Sequence, residues 1–142
     1  MRANWREIPN GDIMSQFAGI YVSMNPKGLI AMSRATYQML DEPKAFLIFF
    51  DDVNNRVGLK PAALSTRNAF RASTYSRNGT KVRAYRLIRE CRIDLPQTVH
   101  FPAADIDEDG ILILDLRTSR VPARVKNHYR NRNKHHTKDS GV

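Results

Sequence analysis

Residues 24–61, MNPKGLIAMSRATYQMLDEPKAFLIFFDDVNNRVGLKP, decide the fold. The letters NPKG predict a tight turn, because proline presets φ and Gly28 tolerates positive φ. A short apolar strand follows, and Ser33 is a typical N-cap for a helix of about two turns. Pro43 ends that helix, and two apolar strands then form a hairpin around the letters DDVNN. A unit of this size has too little area for a core of its own, so it needs a partner.

The same order of turn, strand, helix, proline and hairpin recurs downstream, in residues 75–116. Three pairs of landmarks are separated by 51, 53 and 54 residues, respectively: Gly28 and Gly79, Pro43 and Pro96, and Val57 and Ile111. Such self-similarity is typical of an internal duplication, and a chance recurrence of small αβ motifs is the alternative. With a duplication, the first unit finds its partner within its own chain.

Length and composition limit the chain to one domain, or to two small repeats that share one core. The sequence has 142 residues, and its longest apolar run spans six, far fewer than a membrane-spanning helix needs. The N-terminus lacks the apolar region of a secretory signal, and the single Cys91 excludes an internal disulfide. We therefore expect a cytoplasmic protein without a membrane partner. The predicted segments are an irregular lead-in, a first repeat, a connector, a second repeat and a disordered basic tail: residues 1–18, 19–61, 62–74, 75–116 and 117–142.

The net charge of +9 is distributed unevenly along the chain. Residues 1–60 have a net charge of +1, whereas 61–92 and 117–142 have +7 each and 93–116 have −6. Strongly basic segments usually meet the phosphates of DNA, of RNA or of an anionic membrane surface. The alternative for the tail is that its charge only keeps the protein soluble.

The first unit resembles the SpoVT/AbrB-like swapped-hairpin family. It has a strand, a turn ending in glycine, an apolar strand, a short helix ending in leucine, and a hairpin ending in LKP. The resemblance covers residues 19–61 and extends weakly to 73–116. The positions that carry it are Val22, Gly28, Ile30, Met32, Leu40, Phe46, Ile48, Val57, Leu59 and Pro61. In that family, two copies interlock their hairpins into one barrel, because one copy cannot close its sheet.

The resemblance implies a fold that is mainly β with short helices (α+β), a tandem AbrB-like swapped-hairpin β-barrel with pseudo-twofold symmetry. It also implies a DNA-binding transcriptional regulator, and it leaves a homodimer and RNA binding open. Family contacts to DNA come largely from basic residues on the first strands, the glycine turn and the start of the helix. The first unit departs from that pattern. Leu29, Tyr37 and Gln38 stand at or near positions where the family has arginine, and only Lys27 and Arg34 are basic there.

The second unit carries basic residues that the first unit lacks. Residues two apart share a face of a strand, and residues three apart share a face of a helix. Lys81 and Arg83 fit the first spacing, and arginine suits phosphates and guanine edges through its planar fork. The predicted nucleic-acid-binding residues outside the tail are Arg67, Arg71, Arg77, Lys81, Arg83, Arg86 and Arg89. The alternative is a solvated face whose charge is balanced by the acidic block, Asp105, Asp107, Glu108 and Asp109.

The basic tail mixes lysine and arginine with asparagine, histidine and tyrosine. Asparagine and histidine can hydrogen-bond to phosphates or base edges, and Tyr129 can stack on an unpaired base. Binding through such a tail is sequence-neutral and depends on salt concentration. The predicted contacts are Arg120, Arg124, Lys126, Tyr129, Arg130, Arg132 and Lys134.

The sequence contains no enzyme motif: no carboxylate pair stands in a plausible pocket context, no nucleophile has a base at a familiar spacing, and a phosphate-binding glycine loop is missing. Cys91 has no activating neighbours and His100 fits a packed strand position, so we predict no catalytic residue and no cofactor. The letters DIDEDG resemble the start of a calcium loop but lack the later glutamate, which favours a hairpin turn without metal. The alternative function is a protein-interaction module, such as a bacterial or phage accessory factor that binds a host or virion protein.

Overall fold

The computed structural model describes residues 3, 5, 19–74 and 79–122. The described chain is mainly β, as the sequence predicts. It forms one nine-stranded antiparallel sheet, strongly curled into a half-barrel, with two short helices. The elements in chain order are β1 (Val22–Met24), β2 (Leu29–Met32), α1 (Arg34–Met39), β3 (Ala45–Asp51), β4 (Arg56–Ala62), β5 (Phe70–Thr74), β6 (Thr80–Arg83), α2 (Tyr85–Glu90), β7 (Val99–His100), β8 (Asp105–Ile106), β9 (Leu112–Asp115) and a 3-10 helix (Leu116–Thr118).

The strand order across the sheet is β7-β1-β2-β6-β5-β3-β4-β9-β8. Strands of the two predicted repeats therefore alternate in blocks rather than forming separate sheets. β3 of the first unit pairs with β5, β7 of the second unit pairs with β1, and the hairpin strand β4 pairs with β9. The two edge strands, β7 and β8, are joined by only the residues 101–104, which brings the chain from one edge of the curled sheet to the other.

The centre of the sheet is the antiparallel pair of β2 and β6. Ile30 pairs with Val82 and Met32 pairs with Thr80, and all four residues are buried. Because successive strand residues point to opposite faces, Lys81 and Arg83 point to the outer face. The register of this central pair therefore decides which basic residues of β6 meet solvent.

One hydrophobic core fills the concave side of the sheet, and both units contribute to it. Among its largest fully buried side chains are Phe46, Met24 and Leu59 from the first unit and Phe101 and Leu112 from the second. Neither unit could bury these side chains without the other, which is the partnership that the small size of residues 24–61 requires.

The first helix begins and ends as its sequence predicts. The Ser33 hydroxyl accepts a hydrogen bond from the Thr36 N–H at 3.2 Å, which confirms the N-cap. After the helix, Asp41 and Glu42 adopt positive φ, so the chain turns away before Pro43. The Tyr37 hydroxyl then donates to the Pro43 carbonyl at 2.6 Å and ties the helix to the start of β3.

Two segment boundaries differ from those predicted. β5 lies within the predicted connector 62–74, so the second unit contributes its first strand before residue 75. Residues 117–122, assigned to a disordered tail, contain part of the 3-10 helix and an antiparallel bridge between Arg120 and His100. The strand expected at QTVHFPA is reduced to β7, because Pro102 has no N–H to continue a ladder. Residues 123–142 lie outside the described part of the chain.

Candidate nucleic-acid interface

Two basic residues of β6 lie on the convex face of the sheet. Lys81 and Arg83 alternate with Thr80 and Val82, which are at most 1 % exposed and belong to the core side. Arg83 is exposed and Lys81 is half-buried. The prediction that these two residues share one face of a strand is confirmed by this alternation.

A third cation, Arg71, joins them from the neighbouring strand. In the β5–β6 ladder Ala72 pairs with Val82, and this register, continued by one residue, places Arg71 opposite Arg83. Arg71 is exposed and pairs on its other side with Ala45 of β3. Directly opposite residues on a sheet have Cβ atoms about 4.5–5.5 Å apart, so like charges here repel unless an anion binds between them. We call Arg71, Lys81 and Arg83 the cationic face.

No carboxylate of the described residues forms an ion pair with the two arginines of the cationic face. Among the described residues, the ion pairs join Arg56 to Asp51, Arg86 to Glu90 and Arg117 to Asp115, at 3.0, 2.6 and 3.6 Å. None of them involves Arg71 or Arg83. The positive charge of these two arginines is therefore available to an external anion.

Two carboxylates of the acidic block, the alternative source of neutralisation, accept hydrogen bonds from nearby backbone. Asp107 lies in the turn between β8 and β9, and its carboxylate accepts hydrogen bonds from the Asp109 and Ile111 N–H groups, both at 2.9 Å. Asp105 accepts from the Ile106 N–H at 2.9 Å. These carboxylates hold the backbone of a hairpin turn, as expected for the letters DIDEDG.

A cavity of about 430 Å³ adjoins the cationic face. Its lining includes Lys81 and Arg83 of β6, Lys27 of the first glycine turn, Leu29 of β2 and Tyr85 at the start of α2. Sequence reasoning missed Lys27 and Tyr85 as site residues. They lie 58 residues apart in the chain, and only the β2–β6 pairing between the units brings them to one cavity.

The glycine turn that forms one side of this cavity is fixed against the second unit. Gly28 has a φ of +90°, and its carbonyl accepts a hydrogen bond from the Ala84 N–H at 2.8 Å. A Cβ atom at Gly28 would lie 2.6 Å from the Ala84 carbonyl oxygen. Gly79 has the same φ, and a Cβ atom there would overlap the Met32 carbonyl of the first unit. Each turn glycine thus packs on the backbone of the other unit.

Three of the predicted basic residues lie away from the cationic face. Arg67 and Arg86 line a second cavity of about 750 Å³, where Arg86 is paired with Glu90. Arg89 is exposed in the last turn of α2 and lines neither cavity. The predicted basic residues of β6, α2 and the connector therefore do not all lie on one surface: Arg71 of the connector joins Lys81 and Arg83, whereas Arg67 and Arg86 line the second cavity.

The second cavity has an apolar wall. Leu47, Phe49 and Phe70 line it, and Phe49 is 53 % exposed. Cys91 also lines it, and partial burial, with added repulsion from Glu90 and Asp52, raises the pKa of its thiol. A raised pKa reduces the thiolate fraction, which agrees with the prediction that Cys91 is not activated.

Arg120 lies at the β7 edge of the sheet. Its backbone bridges His100, and its guanidinium donates to the Ser119 carbonyl at 3.1 Å. The His100 ring stacks on Tyr21, with centroids 6.1 Å apart, and its buried Nδ1 has no hydrogen-bond partner among the described residues. β1 and β2 separate this edge from the cationic face. The other predicted contacts lie outside the described residues: Arg77, Arg124, Lys126, Tyr129, Arg130, Arg132 and Lys134.

Comparisons of the chain with protein-family models, curated proteins and solved structures found no match. Within the described part of the chain, no helix is long and apolar enough to cross a membrane. A function must therefore be inferred from the cationic face and the cavity beside it.

Proposed function

We propose that this chain is a DNA-binding protein, a transcriptional regulator of the AbrB-like type, and that the cationic face is its principal contact with phosphates. The observation that carries the proposal is the pair of arginines, Arg71 and Arg83, opposite one another on a convex sheet without a carboxylate neighbour among the described residues. Arginine binds phosphate through two parallel hydrogen bonds, and such charge-assisted hydrogen bonds are stronger than those between neutral groups.

The strand order supports the AbrB-like part of this proposal. From β7 to β3 the order is symmetric if β5, β6 and β7 are taken as the counterparts of β1, β2 and β3. The first strand of each unit pairs with a strand of the other unit: β1 pairs with β7, and β5 pairs with β3. The hairpins pair through β4 and β9. This order supports our proposal of a tandem swapped-hairpin barrel with pseudo-twofold symmetry, in which one chain would supply both interlocked halves.

The cationic face is better suited to binding a phosphate backbone than to reading bases alone. The two arginines on adjacent strands can each neutralise a phosphate, and each neutralised phosphate of duplex DNA contributes about 0.9 to the slope of log affinity against log salt concentration. The basic tail, whose charge is evident from the sequence, would add contacts of the same sequence-neutral kind.

The test is a titration of fluorescently labelled duplex DNA at several salt concentrations. The double variant Arg71→Ala, Arg83→Ala should bind more weakly, with a salt slope lower by about 0.9 for each phosphate that is no longer neutralised. The matched control is the double variant Arg86→Ala, Arg89→Ala, which removes the same number of positive charges from exposed arginines on another surface and should leave the slope unchanged. Equal weakening in both variants would show that only net charge matters and would contradict the proposal.

A truncation after residue 122 separates the cationic face from the tail. This end point keeps the bridge between Arg120 and His100, which a cut at residue 116 would remove. The truncated chain should bind DNA more weakly but retain a salt slope that depends on Arg71 and Arg83. Complete loss of binding would assign the function to the tail and leave the sheet as a scaffold.

The protein-interaction module is the second candidate, because the larger cavity offers an apolar surface. Leu47 and Phe70 line it, and Phe49 stands beside them with half its surface in solvent. Exposed aromatic groups in a concavity are typical anchors for a protein partner. Salt-insensitive or absent binding of DNA by the full-length chain would favour this candidate, and RNA tested in parallel decides between the two nucleic acids.

A further inference from the structure

The cavity of about 430 Å³ beside the cationic face has the features of a ligand site, and the inference drawn from it rests on the proposed function. We propose that it holds one unpaired nucleotide of the bound DNA, with the base against Tyr85 and Leu29 and the phosphate against Lys27 and Arg83. A nucleotide combines a planar aromatic base with an anionic phosphate, which matches these two kinds of contact.

The cavity has an aromatic and aliphatic wall that suits a base. The Tyr85 side chain lies at the rim of the cavity and is 60 % exposed, which is unusual for a large aromatic ring. Leu29 of β2 also lines the cavity and is half-buried. The volume falls within the about 300–1,000 Å³ typical of small-molecule sites. Stacking on an aromatic side chain accepts every base, because each base has a π-face.

The rim supplies the charge that a phosphate needs. Lys27 and Arg83 approach the cavity from different units of the chain, and no described carboxylate lies within ion-pair distance of either. Arg83 is also the central residue of the row that runs from Leu29 through Arg83 to Arg71. A strand whose backbone follows the cationic face would therefore pass the mouth of the cavity.

One polar group in the cavity is placed to recognise a base edge. The Asn25 side-chain oxygen accepts hydrogen bonds from the Lys27 and Leu29 N–H groups, at 3.0 and 2.9 Å. These two bonds fix the orientation of the amide, and its NH₂ group donates to no described residue. That NH₂ group can donate to a carbonyl or ring nitrogen of a base.

The cavity is largely preformed, which reduces the cost of binding. Gly28 locks the turn against Ala84, and the β2–β6 ladder fixes Leu29 opposite Arg83. A base inside an intact duplex cannot reach such a cavity, because it would have to leave the stack first. The site therefore favours DNA in which a nucleotide is already unpaired.

The test compares labelled DNA duplexes that differ only at one bulged position, which holds either an adenine nucleotide or an abasic nucleotide. Both have the same number of phosphates, so backbone electrostatics cancel. The native chain should prefer the adenine bulge by about tenfold, as expected for one base stacked on an aromatic ring. Tyr85→Ala should lose this preference, and the matched control Tyr85→Phe should keep it.

A calorimetric titration with adenosine 5′-monophosphate, and with adenosine as its phosphate-free control, distinguishes a nucleotide in a strand from a free one. The native chain could bind the monophosphate, lose that binding in Tyr85→Ala, and show no preference between the two bulges. This result would support the same chemistry with a free nucleotide as its source. Equal binding of both bulges and no binding of the monophosphate overturns the inference while salt-dependent duplex binding sustains the proposed function. Loss of all DNA and monophosphate binding overturns both.

Discussion

Gly28 shows how one residue can join two units of a chain. Its φ of +90° is rarely adopted by residues with a side chain, and its Cα lies against the Ala84 backbone of the second unit. The sequence alone predicts a positive φ at this turn. It does not reveal the contact with Ala84, because that contact depends on pairing across 56 residues of chain.

We expect Gly28→Ala to lower the free energy of unfolding more than Gly110→Ala does. Both glycines have positive φ, so alanine costs about 1–2 kcal/mol of backbone strain at either position. Only at Gly28 would the new Cβ meet backbone, at 2.6 Å, and overpacking adds about 1–3 kcal/mol. At Gly110, no atom lies within 4 Å of the new Cβ. Chemical denaturation of the two variants measures the difference, and equal destabilisation would show that Gly28 does not join the units.

At the scale of elements, the β3–β4 hairpin depends on one carboxylate in its turn. Asp51 accepts hydrogen bonds from the Asn54 side chain at 2.9 Å, from the Asn54 and Val53 N–H groups at 3.1 Å each, and from Arg56. The side-chain NH₂ group of Asn54 makes the largest contribution, and together these donors hold the pKa of Asp51 well below its ordinary value of 3.8.

A carboxylate with a lowered pKa in the folded state stabilises the hairpin above pH 3.8, and this stabilisation is lost as pH falls below that value. Asp51→Asn should therefore reduce the free energy of unfolding at neutral pH. This reduction should become smaller as the pH is lowered below 3.8. The control is Asp52→Asn, an exposed neighbour in the same turn that accepts no hydrogen bond from the described residues. Thermal unfolding across the pH range provides the measurement. A pH-independent effect of Asp51→Asn would contradict this role of the carboxylate.

Elements set by local chemistry could be predicted from the sequence. The Ser33 cap, the end of α1 before Pro43 and the hairpin around residues 52–55 all depend on neighbouring residues, and the structure has them where expected. The strand near His100 is shorter than the sequence predicts, because Pro102 cannot continue its ladder. Its partners, β1 and Arg120, are distant in the chain, and no local pattern specifies them.

At the scale of the whole molecule, aligning the two units by their turn glycines does not predict which residues of β6 are buried. The two glycines are 51 residues apart, and so are the starts of α1 and α2. In the central ladder, however, the buried Ile30 and Met32 correspond to the buried Thr80 and Val82, which lie 50 residues downstream. A shift of one residue exchanges the two faces of a strand, so alignment by glycine would put Lys81 on the core side.

This register is also what exposes the candidate site. Neither unit alone contains the cationic face together with the cavity: Lys27 and Leu29 come from the first unit, and Arg83 and Tyr85 from the second. The sequence could identify basic residues and their spacing within one strand. Only the curled nine-stranded sheet decides that Arg71 joins them and that Arg67, Arg86 and Arg89 do not.

The most direct test of the central claim is an NMR titration of the full chain with duplex DNA, in which backbone amide shifts are followed residue by residue. We expect the largest shifts on the convex side of β5 and β6, at Arg71, Ser73, Lys81 and Arg83, with smaller changes around the larger cavity. Shifts confined to residues beyond 122, or centred on Arg67 and Arg86 while β5 and β6 stay unchanged, would contradict it.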